Sequence, residues 1–178
     1  MEKKWTVVDA LRHSRHDWLN CLQLIKAHLS LGNTERVQEL IHDFVEEAQQ
    51  ESRLMNLKMP LLTELLLTYT WNSSPCFLEY EVLGNIHTLT HWDEAVTGWT
   101  KQFLCLLHGA ADSRTENHLC VTIEQEEQDT RFFFDFRGKL ETTDPIKTWL
   151  TECETKGLSV SYSVEHEELC IEIRLKEK

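Results

Sequence analysis

Leu11-Arg12-His13-Ser14-Arg15-His16-Asp17-Trp18-Leu19-Asn20-Cys21-Leu22-Gln23-Leu24-Ile25 is the stretch on which the reading of this chain turns. At about 100° per residue, Leu11, Trp18, Leu22, Ile25 and Leu29 fall on one face of a helix. His16 lies roughly 140° from the centre of that stripe and points outward, midway along the helix. Arg12, His13 and Asn20 flank it, and Gln23 follows one turn on. The spacing predicts an amphipathic helix that presents a polar cluster to solvent.

Outward from this helix, Leu31-Gly32-Asn33-Thr34 interrupts the pattern. Gly32 suits a left-handed helix terminus, and Asn33 or Thr34 can cap the next helix. Val37, Leu40, Ile41, Phe44, Val45 and Ala48 form a second stripe, so a helical hairpin is expected over about residues 6–57. Two helices cannot bury both stripes alone. A second copy of the hairpin is the simplest cover, which predicts a homodimeric four-helix bundle.

Asn56 to Pro60 marks a boundary, because Pro60 lacks an amide proton and biases Met59 away from helix. The expected domains are therefore 1–58 and 59–178. Beyond it, helices are expected at Leu61–Tyr69, Asp93–His108 and Pro145–Lys156. Strands are expected at Phe77–Leu83 (closed by Gly84), Leu119–Glu124, Arg131–Phe136, Leu158–Val164 and Leu169–Leu175. Loops are placed at Asn72–Pro75 and, solvated and acidic, at Glu124–Asp129. Mostly antiparallel strands alternating with helices give the fold class α+β, the second domain being an α/β sandwich.

Composition narrows the function. Hydrophobic residues are 41% and charged residues 27% of the 178 positions, as in an ordinary globular protein. A formal charge of −12 argues against nucleic acid and anionic membranes as partners. No apolar run approaches the roughly 20 residues of a membrane span, and Met1-Glu2-Lys3-Lys4-Trp5 is not a secretory signal. The six cysteines lack C-x-x-C spacing and read as buried, reduced thiols of a cytoplasmic protein. His87 and His91 have three residues between them, but no cysteine pair accompanies them to complete a ligand set, so no metal site is expected. Trp71, Trp92, Trp99 and Trp149 read as packing residues, and Phe132-Phe133-Phe134 as a buried strand.

An exposed helical histidine usually has no function. Here its setting suits nucleophilic attack on a partner's phosphoryl group. Only neutral imidazole is nucleophilic, and an imidazole of ordinary pKa, about 6.5, is mostly neutral at pH 7. Asp17 could hold the ring or influence its protonation, and Arg12 or Arg15 could balance the phosphoryl charge. His13 lies only about 60° round the helix from His16, so geometry alone does not choose between them.

The run His16-Asp17-x-x-Asn20-x-Leu22-Gln23-x-Ile25, followed by Leu31-Gly32, resembles the phosphoacceptor helix of the sporulation phosphorelay phosphotransferases of Bacillus-type bacteria. A related H-[DE]-x-x-N-x-L pattern occurs in sensor kinases of the citrate and dicarboxylate type. Glu51 to Lys58, Leu78 to Gly84 and Ser113 to Leu119 resemble segments of the same family in the same order. The resemblance implies that His16 is the phosphoacceptor, with Asp17, Arg15, Arg12 and Asn20 in support and His13 and Gln23 on the docking face. It implies a homodimer and a C-terminal domain shaped like a degenerate histidine-kinase ATPase domain. It also implies response-regulator receiver domains as phosphoryl donor and acceptor, with Mg²⁺ held in the partner and no cofactor of the chain's own.

The residues bear separately on nucleotide use. Kinase ATPase domains need D-x-G-x-G and G-x-G-x-x-G boxes to close on phosphates. Here the nearest approach is Asp135-Phe136-Arg137-Gly138, with one glycine and the wrong spacing. The helix ending Leu106-Leu107-His108-Gly109 lacks the magnesium-binding Asn. Autokinase activity is not expected. The rival reading is a non-catalytic dimeric docking module derived from a sensor kinase.

Overall fold

The computed structural model describes residues 5–71, 74–126, 129–153 and 157–176. The chain divides into two compact units, 1–51 and 52–178.

The first unit is a hairpin of α1 (Val7–Ser30) and the greater part of α2 (Thr34–Asn56). Thr6, in extended conformation, starts α1 through a reciprocal cap: its hydroxyl accepts from Asp9 N, and the Asp9 carboxylate accepts from Thr6 N. Gly32 ends the helix at φ +73°, donating to Leu29 O while Asn33 N reaches back to His28 O. The side chain of Asn33 then accepts from Arg36 N at 3.2 Å and caps α2. Trp18 meets Phe44 edge-on across the hairpin at 4.6 Å.

In the second unit, Leu54, Leu57 and Met59 are fully buried where α2 gives way to α3 (Pro60–Thr68). There follow β1 (Phe77–Gly84), α4 (Asp93–Ala110), β2 (His118–Glu126), β3 (Asp129–Arg137), α5 (Asp144–Glu152), β4 (Leu158–Val164) and β5 (Glu168–Leu175). The strands make one sheet in the order β1-β2-β3-β5-β4. β1 and β2 run parallel, with α4 as the crossover; the other pairs are antiparallel. Phe132, Phe134, Phe136, Ile123, Ile171 and Ile173 alternate onto the inner face, buried against Val96, Trp99, Phe103 and Leu107 of α4. The outer face is open.

One polar group ties helix to helix, and one close approach fixes a strand end. The buried Asp93 carboxylate accepts from Leu61 N and Leu62 N, at 2.9 and 3.0 Å, and so caps α3 from α4. Gly84, at φ +81°, ends β1 where a Cβ would fall 1.9 Å from Gln125 O; only glycine fits there.

The expected α+β architecture is present, with four local corrections. Helix α5 stops at Glu152, because Cys153 is extended; Lys156 lies outside the described residues. Glu124, Glu126 and Asp129 belong to strands rather than to a loop, with Arg131 within 3.5 Å of all three. Residues 127–128 of that stretch, and 72–73 of the expected loop at Asn72–Pro75, lie outside the described residues. Phe133 faces the open side of the sheet, since only alternate residues of a one-sided strand can be buried. Among the cysteines only Cys76 is buried, while Cys105 and Cys170 are exposed.

Candidate functional site

The site is built on the middle turns of α1. His16 is 73% exposed at its side chain, with Asp17 beside it at 68%. The His16 Nδ1 atom lies 3.1 Å from Asn20 Nδ2, one turn along, and 3.4 Å from Asp17 Oδ1. His16 Nε2 makes no hydrogen bond among the described residues and faces solvent.

These contacts make opposite demands on one nitrogen. A carboxylate only accepts, so the Asp17 bond requires a proton on Nδ1 and leaves a lone pair on Nε2. An amide N–H from Asn20 requires a bare Nδ1 and places the proton on Nε2 instead. The first tautomer is the nucleophilic one at the exposed position. A bond formed at Nε2 of that tautomer would leave the ring cationic, a charge that the carboxylate 3.4 Å from Nδ1 would stabilise.

His13 is engaged differently. Its ring meets Trp5 edge-on at 5.3 Å, and the residue is half-buried. Arg12 turns back toward Asp9, 3.8 Å away. Arg15 and Gln23 are exposed, and neither makes a hydrogen bond or ion pair with a described residue. The structure thus brings together His16, Asp17 and Asn20. It sets Arg12 and His13 on the turn before and leaves Arg15 and Gln23 open to a partner. The Thr6-x-x-Asp9 capping box, which fixes where this helix begins, was legible as a motif and went unread.

A second polar cluster lies in the sandwich. Tyr69 Oη, Ser74 Oγ and His108 Nε2 form a triangle with sides of 2.6, 2.7 and 3.1 Å. Burial pushes the neighbouring Cys76 thiol up to about 11, raises the Tyr69 phenol and lowers His108. The three groups are therefore neutral near pH 7, and the triangle joins the end of α4 to the segment before β1. Elsewhere, Arg114 forks onto the nearly buried Asp112 at 2.8 and 3.0 Å, holding that carboxyl well below the usual range.

Sequence comparison assigns both units. Residues 1–57 match the alpha-helical domain of SpoOB-type sensor kinases, and residues 58–176 match the C-terminal domain of sporulation initiation phosphotransferase B. A sporulation initiation phosphotransferase B from Bacillus subtilis (strain 168) is 40% identical over 134 residues, spanning 74% of this chain and 70% of that protein. Among solved structures, a bacterial phosphotransferase aligns at 17% identity and a TM-score of 0.41, covering 96% of this chain and 98% of that one. The Acinetobacter baumannii histidine kinase AdeS aligns at 10% identity and a TM-score of 0.49, over 90% and 97%. Both are distant, and the assignment rests on the sequence matches. These define a class: a sensor-kinase-type helical domain followed by a phosphotransferase C-terminal domain. The chain belongs to the sporulation initiation phosphotransferase B family, and it is a phosphotransferase.

Proposed function

We propose that His16 is the residue on which the phosphoryl group rests, within a cytoplasmic phosphorelay between two response-regulator receiver domains. The observation that carries this reading is the asymmetry of the ring: Nε2 makes no hydrogen bond among the described residues, while Nδ1 has the Asp17 carboxylate at 3.4 Å to accept its hydrogen bond. The lone pair of Nε2 attacks the phosphorus of an aspartyl phosphate on the first regulator. The new N–P bond forms as the P–O bond to the aspartate breaks, and the carboxylate leaves. The second regulator's aspartate reverses these steps and takes the group. Both species are reactive, so the chain contributes positioning and docking, and Mg²⁺ belongs to the partner's acidic pocket. His13 and Gln23 form part of the docking face, and Arg15 or Arg12 balances the charge of the incoming phosphoryl group.

The same reading includes a homodimer. Leu11, Trp18, Leu22 and Leu29 are each 53–58% exposed in the single chain, and α1 has no buried residue. A second hairpin packed on this stripe makes a four-helix bundle with one outward His16 on each α1.

The test is to incubate the protein with a phosphorylated response regulator, beside a second sample with labelled ATP alone. Acid-labile, alkali-stable label from the regulator, lost in His16→Ala and kept in His13→Ala, is expected, with no label from ATP. Transfer that survives in His16→Ala overturns the assignment. Label from ATP alone makes the chain a kinase, and no label in either sample makes it a docking module.

A further inference from the structure

The two edges of the sheet are treated differently. On β1, the Arg53 guanidinium donates to Val82 O and Gly84 O at 2.6 and 2.8 Å, and Glu79 and Glu81 place charges along the strand. These are the usual defences of an exposed edge. On β4, the sequence Leu158-Ser159-Val160-Ser161-Tyr162-Ser163-Val164 has no charge and no proline.

The β4–β5 register fixes which backbone groups are spare. Lys176 N donates to Gly157 O and Glu165 N donates to Glu168 O, so the odd-numbered residues of β4 turn their amides and carbonyls toward β5. Val160 and Tyr162 consequently turn theirs to the free edge, where no described group meets them. On the open face, Ser159 and Ser161 are small and, with Glu172 and Arg174, line a shallow depression. On the other face, Val160 is half-buried, and Tyr162 is 42% exposed with its hydroxyl 3.0 Å from Thr151 Oγ1.

We propose that the β4 edge is a docking site for an extended segment of a partner protein. That segment adds a sixth strand and carries Lys or Arg at alternate positions. Main-chain bonds to Val160 and Tyr162 hold it, as in strand addition generally. Its apolar residues pack beside Val160 and Tyr162. Over the serine row Glu172 is already paired with Arg174 at 3.3 Å, so the partner's long cations reach instead for Glu165 and Glu168, which face each other where β4 ends. Glu165, Glu167 and Glu168 at the β4–β5 turn make no ion pair among the described residues, which adds negative charge where β4 ends. This charge selects a basic partner strand over an acidic one.

The probe is an acetylated, amidated heptapeptide of alternating valine and lysine, compared with its valine–glutamate counterpart. The readout is amide exchange in the full chain. The lysine peptide is expected to slow exchange at Val160 and Tyr162 about tenfold when nine in ten chains are occupied, leaving β1 unchanged. Absent protection, or equal protection by the glutamate peptide, overturns the proposal. Protection that appears without peptide and grows with protein concentration gives the edge to a second copy of the chain and overturns the basic partner. Tyr162→Pro removes an outward donor but no β4–β5 bond, and should weaken the peptide about tenfold with β5 exchange unchanged. If that variant loses β5 protection, Ser161→Lys serves instead, since it repels the cationic strand while keeping every backbone bond.

Discussion

The ring of His16 faces two neighbours that ask opposite things of Nδ1, and only Asp17 favours a bare Nε2. Replacing Asp17 with Asn removes the anion that stabilises the charged ring. Transfer should fall by about tenfold or more, with His16 equally exposed. Single-turnover rates check the first part. Nitrogen-15 shifts of His16 check the second, showing loss of the Nδ1–H tautomer rather than loss of the helix. An unchanged rate would mean that Asp17 is only a solvated charge. The cluster was legible because helix geometry alone puts residues 16, 17 and 20 together. The separation of His16 from His13 was not, because Trp5 precedes the helix and its edge-on contact with His13 follows from no periodicity.

At the scale of elements, the hairpin turn, the end of β1 and the start of β4 followed from local chemistry: Gly32, Gly84 and Gly157 all sit at positive φ where the pattern breaks. Contacts between distant elements were not readable in this way. Parallel pairing of β1 with β2 depends on α4 crossing between them, and the Asp93 cap joins residues 31 and 32 apart. Asp93→Ala leaves two amides at the start of α3 without their acceptor and should cost about 1–2 kcal/mol, measured by urea unfolding. A second prediction concerns alkali. The folded thiol of Cys76 holds its proton to about pH 11, above the usual thiol value, because burial disfavours the thiolate. Below the ordinary thiol pKa both states are protonated and stability is full. Between there and about 11 the unfolded chain ionises first, so stability falls as pH rises. Urea midpoints should decline over that window, and Cys76→Ala should flatten the decline while lowering stability at pH 7.

On the scale of the whole molecule, the sandwich closes its own core and the hairpin does not. Phe103, Phe132, Phe134 and Phe136 are fully buried within one chain, whereas α1 buries nothing. From Leu11 to Leu29 the apolar stripe runs about 27 Å along α1, and exposed apolar surface of that extent marks an interaction site. The chain's charge of −12 opposes association at long range, so the driving force must come from apolar area rather than from complementary charge. That distinction makes the proposed dimer testable. Leu22, 55% exposed in one chain, would be an inner residue of the proposed bundle, and Leu22→Glu would bury a carboxylate there in each of two copies. Sedimentation should give the wild type twice the chain mass of 21.0 kDa, and the variant the mass of one chain at the same concentration. Raised salt should favour the wild-type dimer by screening the repulsion. The sandwich should remain folded in the variant, read from the near-ultraviolet signal of the buried Trp99. A wild type that sediments as one chain at micromolar concentration would leave the stripe to another partner, and would remove the bundle from the mechanism without touching His16.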